Sequence, residues 1–244
     1  AACVFFMKNT LSDKIQRALT GFAAGVMVAA SVWSLIIPAI EQSASMGKLS
    51  FLPAAIGFWI GILFLLLLDH IIPHLHQNSD QAEGPKSKLQ RTTMMILAVT
   101  LHNIPEGLAV GVAFGALKNG GYTPEALMGA VTVAVGIGLQ NFPEGAAVSL
   151  PLRREGCSRR KSFFIGQASG FVEPIAGVLG ALLAVYIEAV LPFALSFAAG
   201  AMILVAVHEL IPECQRNQKA QPYAATMGIV TGFALMMLLD VMLG

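Results

Sequence analysis

The sequence predicts an all-α integral membrane protein, folded as a polytopic helical bundle. The first observation is composition: 56% of the 244 residues are hydrophobic and only 12% are charged, whereas a soluble domain carries roughly 25% charged residues. The second is a series of seven apolar stretches, each with the roughly 20 residues that cross a bilayer. The third is a set of motifs that recur on helices of opposite direction, which is typical of transporters.

The overall charge and the cysteines exclude two other classes of protein. A net charge of +1 provides no basic surface of the kind that binds nucleic acid. Three cysteines without paired spacing exclude a disulfide-stapled scaffold. We therefore expect the protein to be surrounded by a lipid bilayer and to have no nucleic-acid partner.

The predicted spans follow one another through a single transmembrane domain over residues 1–244. Their ranges are 19–40, 51–72, 92–117, 123–150, 163–187, 191–211 and 223–243. The opening letters AACVFFM resemble the end of a further apolar segment. We therefore expect a bundle of eight helices whose first helix is largely missing from this chain.

Basic residues indicate the orientation of these spans. Thirteen of the 15 Lys and Arg residues precede the first span or follow the second, fourth and sixth, while only Lys48 and Lys118 lie on the other side. Because positively charged loops stay in the cytoplasm, we expect these loops to be cytoplasmic and the C-terminus to lie outside. The prediction is a multi-pass protein of the cell membrane, either an inner or a plasma membrane.

The first two spans carry motifs that return near the end of the chain. FAAGVM at 22–27 is echoed by FAAGAM at 197–202 in the sixth span, and a Gly-Gly-Asp set in the second span recurs in the seventh with the same spacing. The two sets are Gly57, Gly61 and Asp69, and Gly228, Gly232 and Asp240. Each pair lies on antiparallel helices, which predicts an inverted repeat. Asp240 lies close to a helix end, where we expect it to cap or snorkel.

A polar loop at residues 73–91 follows the second span. Its low hydrophobicity predicts disorder on the cytoplasmic side. Two interpretations of His74 and His76 stay open: weak capture of a metal ion, or simple membership of a solvated segment.

The third and fourth spans carry the same polar cluster at the same spacing. HNIPEGLAVG at 102–111 is echoed by QNFPEGAAVS at 140–149. In each copy the first and fifth positions share one helix face, with an Asn beside them. The residues are His102, Asn103 and Glu106 in the third span, and Gln140, Asn141 and Glu144 in the fourth.

The fifth and sixth spans add further ionisable groups. Glu173 lies in the middle of the fifth span, immediately before Pro174. It is either a functional carboxylate or a structural hydrogen-bonding group between helices. The sixth span ends in HELIPE, which contains His208, Glu209 and Glu213.

These groups together predict an intramembrane site for a divalent transition-metal ion. An ionisable residue at membrane depth costs a few kcal/mol and is a functional hypothesis by default. Pro105 and Pro143 each remove a backbone donor beside the clusters and free a carbonyl about one turn earlier. Carboxylate, imidazole and carboxamide ligands suit zinc, iron(II) and manganese. Three carboxylates, those of Glu106, Glu144 and Glu173, compensate one divalent ion with some excess.

The paired HNIPEG and QNFPEG motifs, the mid-helix Glu173 and HELIPE at 208–213 resemble the ZIP (Zrt/Irt-like) metal transporters, most of all the bacterial GufA-type branch. The resemblance extends over essentially the whole chain. It implies a 3 + 2 + 3 inverted repeat and a homodimer. It also implies elevator-type transport of zinc, with Cd²⁺, Fe²⁺ and Mn²⁺ as further candidate ions, into the cytosol.

Carried over position by position, the resemblance implies a binuclear metal site, an outer entrance and an inner release route. The site would comprise His102, Asn103, Glu106, Gln140, Asn141, Glu144 and Glu173, with Met27 as an added thioether ligand. The entrance would comprise Ser34, Pro38 and Glu41, and the release route Asp69, His74, His76, His208, Glu209 and Glu213.

One position departs from the family pattern. Asn141 stands where some relatives carry Asp, which lowers the negative charge at the second metal position. We therefore expect one strong site near His102, Glu106, Gln140 and Glu144.

Two alternative functions use the same residues. A metal-selective channel would need the same ligands, and the sequence does not separate it from a carrier. A membrane metalloenzyme would need a motif such as HExxH, but the position four after His208 is Pro212, which cannot bind metal. We expect that the protein is not an enzyme.

Overall fold

The regular structure of the chain is helical. The computed structural model describes residues 1–6, 12–75, 84–120, 122–154, 156–216 and 223–243. Its α-helices are α1 Cys3–Phe6, α2 Asp13–Ala30, α3 Ile37–Gln42, α4 Phe51–Ile71, α5 Arg91–Gly120, α6 Pro124–Arg154, α7 Arg159–Ser169, α8 Val172–Tyr186, α9 Leu191–Val205, α10 Ile211–Gln215 and α11 Ala224–Leu243. Short 3₁₀ helices at Ala44–Leu49 and Glu188–Val190 connect neighbouring helices.

Within the described ranges, seven helical segments are long and apolar enough to cross a membrane, as the sequence predicts. The first begins at Asp13, earlier than the predicted 19, because Ser12 caps the helix by accepting a hydrogen bond from the Ile15 amide at 3.4 Å. The sixth runs on to Gln215. Polar end turns thus extend the helices past their apolar stretches.

The fifth predicted span, 163–187, is interrupted in the structure. Helix α7 ends at Ser169 and α8 begins at Val172, so that Glu173 lies in the first turn of α8 and not in the middle of a continuous helix. Gly170 ends α7, and Pro174 suits a helical first turn, where its missing amide hydrogen costs nothing. The predicted span is present as one membrane-length segment, Arg159–Tyr186, with a break between its two helices next to Glu173.

Two π-helical segments occupy equivalent positions in the two halves. Ser31–Ile36 joins α2 to α3, and Ala206–Leu210 joins α9 to α10. Each begins nine residues after the start of its FAAG motif and is followed closely by a proline. Such segments widen the helix locally and are frequent at functional sites.

The packing of the helices follows the predicted inverted repeat. Helix α2 packs along α11, and α4 packs along α9. A Cβ on Gly61 would meet the Phe197 backbone in α9, and a Cβ on Gly232 would meet the Phe22 backbone in α2. Because these are equivalent positions of the repeated motifs, the same close contact is built twice.

The two central helices, α5 and α6, contact each other, and α5 also packs along α8. Gly107, Gly111 and Gly115 bring α5 against the backbone of α8 near Glu173, Gly177 and Ala181. A buried apolar cluster of small and branched side chains joins α2 and α9 to α5 and α6. This arrangement places the polar faces of α5 and α6 inside the bundle.

Candidate metal centre

The donor side chains of α5 and α6 are buried inside the bundle. Glu106 and Gln140 are fully buried, and His102 and Asn103 are less than 10% exposed. The helical repeat places His102 and Glu106 on one face of α5, and Gln140 and Glu144 on one face of α6. The two sets of donors predicted from the repeated motif therefore meet between these helices.

Several of these donors have no hydrogen-bond partner in good geometry. Among the described residues, this holds for both carboxylate oxygens of Glu106, both amide atoms of Gln140, and Oε2 of Glu144. A buried polar atom without a partner costs about 1–3 kcal/mol, and more if charged. Groups of this kind are stable at membrane depth only if something else binds them, and a cation satisfies carboxylate and carbonyl oxygens.

Three carboxylates concentrate negative charge in this region. Glu106 is close enough to Glu144 and Glu173 for the three groups to repel one another, and His102 acts on Glu144 with the opposite sign. The arrangement thus favours occupation by positive charge.

The two asparagines direct their amide nitrogens into the protein. Asn141 Nδ2 donates to Glu173 Oε2 at 2.7 Å, and Asn103 Nδ2 donates to the Ser169 carbonyl at 3.1 Å, at the end of α7. The Oδ1 atom of each asparagine has no partner among the described residues. Since amide orientation follows the hydrogen-bond partners, these contacts leave two carbonyl-type oxygens for a ligand.

The two asparagines line a cavity of about 320 Å³. We call it the amide cavity. Asn103, Asn141, Glu144 and Glu173 line it, with Ala1 at its rim.

His102 has a partner other than the carboxylates of its own motif. Its Nε2 lies 2.8 Å from Glu209 Oε2, in the π-helical segment between α9 and α10. Asp69 also acts on His102 electrostatically. The sequence placed Glu209 on a release route, and the structure brings it into contact with the central site.

A second cavity leads away from His102 and Glu144. Its free volume is about 60 Å³, and it passes Glu209 to reach Thr20 and Glu213. Thr20 and Glu213 also line a wider vestibule of about 330 Å³, together with Asp13, Arg17 and Arg216. We call the end of the bundle at this vestibule the basic end. The two cavities therefore share two lining residues, Thr20 and Glu213.

His74 lies in the segment 73–91 that the sequence predicts to be disordered, but in the structure its side chain is ordered. It is fully buried, its Nδ1 lies 2.8 Å from the Ile72 carbonyl oxygen, and its Nε2 lies 3.8 Å from Asp69 Oδ1. Residues 84–90 have no regular structure and are exposed. His76 falls outside the described residues.

Asp240 differs from its expected role. The Ser34 hydroxyl, in the first π-helical segment, donates to Asp240 Oδ1 at 2.7 Å. The side chain therefore joins two helices. In the sequence, Asp240 occupies the same position of the inverted repeat as Asp69, and this equivalence indicates a side chain that points into the bundle.

The remaining predicted residues lie in different environments. Met27 lies in the buried apolar cluster, Glu41 and His208 are exposed, and Pro38 is half-buried. In the described part of the chain, no three His, Cys, Asp or Glu side chains converge on a point where they could hold one ion. The ligand set stays a prediction.

Known proteins similar to this chain are described as zinc transporters. The sequence model of the family described as ZIP Zinc transporter matches residues 76–240. The chain is 37% identical to "Zinc transporter ZIP11" of Homo sapiens, over 100% of the chain and 93% of that protein. It is 38% identical to "Zinc transporter GufA" of Myxococcus xanthus, over 97% and 90%. It is 36% identical to "Zinc transporter ZIPB" of Bordetella bronchiseptica, over 97% and 74%.

Proposed function

The chain belongs to the ZIP zinc transporter family, and on this premise we propose that it carries Zn²⁺ across a membrane into the cytosol. Proteins of this family are transporters and not enzymes, so the expectation of a non-enzyme is confirmed. The observation that carries the proposal is the buried set of unpartnered donors on α5 and α6. Nitrogen and oxygen ligands of this type also accept Cd²⁺, Fe²⁺ and Mn²⁺.

In this proposal His102, Glu106, Gln140 and Glu144 hold the ion near the middle of the bilayer. Binding requires the His102 ring to exchange its contact with Glu209 for a bond to the ion. The carboxylates then meet positive charge, which removes their mutual repulsion.

In this proposal the release route follows the cavity lined by His102, Glu144 and Glu209 toward the basic end. Glu209 and Glu213 line this route, and the vestibule beyond it is rich in charged groups. We place the basic end in the cytosol, because basic loops remain there. Entrance is then from the opposite end, past Glu41 and Ser34.

Alternating access is proposed to occur by displacement of one helix group against another. Glycine contacts join α5 to α8, and a separate pair of glycine contacts joins α2 to α11 and α4 to α9. We propose that α5 with α8 forms one rigid body of an elevator-type motion, and that α2, α4, α9 and α11 form the other. A homodimer would hold the α2, α4, α9 and α11 group still in the bilayer.

The test is Zn²⁺ uptake into proteoliposomes that contain the purified full chain and a zinc-sensitive dye. Glu106→Gln and Glu144→Gln each remove a ligand charge with little change in size. Each is expected to reduce uptake by about 100-fold, since even the outer-shell partners of metal ligands cost 10–100-fold when replaced. Glu125→Gln is the matched control, because Glu125 is an exposed residue in the first turn of α6.

Uptake at the wild-type rate in both ligand variants would refute the site. The dependence of the rate on zinc concentration separates a carrier from a channel. A carrier saturates, and zinc on the far side competes with its turnover. A flux that rises linearly to high concentration would favour the channel.

A further inference from the structure

The turn that joins α6 to α7 carries the densest positive charge of the sequence. Five of the nine residues from 153 to 161 are Arg or Lys, and Glu155 is the only acidic residue between positions 150 and 172. The loop between the second and third spans carries three basic residues, and the loop between the sixth and seventh carries two. Because Glu155 can compensate only one of the five charges, this turn keeps a local excess of positive charge.

Hydrogen bonds hold the two ends of this turn close together. Arg153, in the last turn of α6, donates a hydrogen bond to the Cys157 carbonyl. The Cys157 amide donates to the Leu152 carbonyl at 3.1 Å. Ser158 caps α7 by accepting a hydrogen bond from the Lys161 amide at 3.2 Å. The basic residues at the end of α6 and at the start of α7 therefore lie at one corner of the bundle.

Four of these basic side chains are exposed, and we call them the basic corner: Arg153, Arg159, Arg160 and Lys161. None of them forms an ion pair with a carboxylate of the described part of the chain. Three of them lie in the first turn of α7, where the positive end of the helix dipole opposes a positive side chain. The mutual repulsion of these charges and their conflict with the dipole both favour a negatively charged partner.

The basic corner lies at the ends of two membrane-length segments. The fourth ends at Arg153, and the fifth begins at Arg159. Phe164 follows Arg160 by four residues on the same face of α7, and both side chains are exposed. Arg160 is thus about 6 Å nearer to the membrane surface than an exposed aromatic ring. Basic groups at the end of a span lie at the depth of the lipid phosphates.

We propose that the basic corner binds the headgroup phosphate of an anionic phospholipid in the adjacent leaflet. The planar fork of an arginine matches the oxygens of a phosphate, and each Lys or Arg near an anionic membrane surface contributes about fivefold in affinity. Basic loops orient a protein in any bilayer, whereas this cluster selects a headgroup with net negative charge at one place. The bound lipid holds the end of α6, the helix of Gln140 and Glu144, at the membrane surface.

The experiment counts the lipids that remain bound to the purified full chain in native mass spectrometry, without zinc. The probes are phosphatidylglycerol and phosphatidylcholine with the same acyl chains, added together in equal amounts, and only the first carries a net negative charge. We expect bound phosphatidylglycerol to exceed bound phosphatidylcholine about tenfold, which corresponds to one or two basic side chains acting on the phosphate.

A combined variant removes three charges of the basic corner: Arg159→Gln, Arg160→Gln and Lys161→Gln. It is expected to bind the two lipids within about twofold of each other, because little charge remains to select the anionic headgroup.

A matched control removes the same charge from exposed positions outside the corner: Lys14→Gln, Lys86→Gln and Lys88→Gln. It is expected to keep a preference of at least about fivefold for phosphatidylglycerol. An equal loss of preference in the variant and in the control would attribute lipid binding to net charge and would overturn the site.

Should the combined variant fail to fold, thermal unfolding of the wild-type chain decides. A lipid that binds the native state raises the melting temperature. Phosphatidylglycerol is expected to raise it more than phosphatidylcholine at about 0.05 M NaCl, and the difference is expected to vanish at about 0.5 M, because salt screens exposed charges. A difference that persists at high salt would contradict the role of the charges.

Equal binding of the two lipids by the wild-type chain, or a preference that the combined variant retains, would overturn the lipid site. Displacement of the bound lipid by an equal concentration of the soluble headgroup glycerophosphoglycerol would show that the corner recognises a free phosphate ester, and it would overturn the lipid site as well. Because zinc is absent from these measurements, their outcome does not depend on the proposed transport.

Discussion

His102 has two competing partners in the proposed transport cycle. In the structure its Nε2 contacts Glu209 Oε2 at 2.8 Å. Zinc would either bind this same nitrogen in place of Glu209, or bind the other ring nitrogen after the ring has turned. A hydrogen bond to a charged group contributes about 1.5–3 kcal/mol, and a neutral one about 0.5–1.5 kcal/mol. We therefore expect Glu209 to lower the affinity of the site for zinc and to help expel the ion.

Glu209→Gln is expected to tighten zinc binding by about fivefold, since the loss of roughly 1 kcal/mol from the competing contact favours the ion. Titration calorimetry measures the affinity, and uptake into proteoliposomes is expected to slow because release slows. Glu213→Gln removes the same charge one turn later and serves as the control, with an affinity within about twofold of the wild type. Weaker zinc binding in Glu209→Gln would show that Glu209 is a ligand of the bound ion.

At the scale of the helices, close backbone contacts are the main feature that the two halves share. Helix α4 meets α9 at Gly61, and α11 meets α2 at Gly232, with no space for a Cβ in either place. Small residues allow this approach, which provides dispersion contacts where lipid gives no hydrophobic driving force. The two π-helical segments follow on the same repeated helices and direct Ser34 and Glu209 toward the interior partners Asp240 and His102.

Gly61→Ala and Gly232→Ala are each expected to destabilise the protein by about 1–3 kcal/mol, because a methyl group at either position overlaps the backbone of the facing helix. Thermal unfolding in detergent measures the effect. Gly129→Ala is the control: nothing lies within 4 Å of its Cβ position, so that alanine is expected to be neutral or to stabilise α6 slightly. Wild-type melting temperatures for both interface variants would contradict the close packing.

At the scale of the whole molecule, charge is separated into two populations. The 15 Lys and Arg residues nearly balance the 14 Asp and Glu residues, but most of the described basic residues lie in loops or near the ends of helices, whereas Glu106, Glu144 and Glu209 lie inside the bundle. In the proposed function the first population orients the protein in the bilayer, and the second binds the ion.

Zinc uptake is expected to fall as the external pH is lowered from about 7.5 to about 5.5, the range in which histidines ordinarily gain a proton. Ligands bind metal only when deprotonated, so that protons compete with zinc at His102 and the carboxylates. Initial rates in proteoliposomes, at constant internal pH, provide the measurement. An unchanged or rising rate on acidification would contradict this competition.

The orientation is testable by cysteine labelling in cells, in a chain in which Cys3, Cys157 and Cys214 are replaced by serine. Ser87→Cys lies in the loop between α4 and α5, and Lys48→Cys lies between α3 and α4. A membrane-impermeant maleimide is expected to label Lys48→Cys in intact cells and Ser87→Cys only after permeabilisation. The reverse pattern would place the basic end outside.

The sequence alone determined the features that depend on local periodicity. Apolar stretches of bilayer length predicted the seven spans. The spacing of His102 to Glu106 and of Gln140 to Glu144 predicted two donor faces, and the matching glycines predicted the inverted repeat. All of these follow from the 3.6-residue helical repeat and from the cost of polar groups in lipid.

Only the tertiary structure decided which distant residues become partners. It paired His102 with Glu209 and Ser34 with Asp240, turned the amide of Asn141 toward Glu173, and interrupted the fifth span so that Glu173 lies in the first turn of α8. The physical reason is that hydrogen bonds and carboxylate repulsion depend on distances between helices. Those distances are set by the close packing of helices far apart in the chain, which no local pattern encodes.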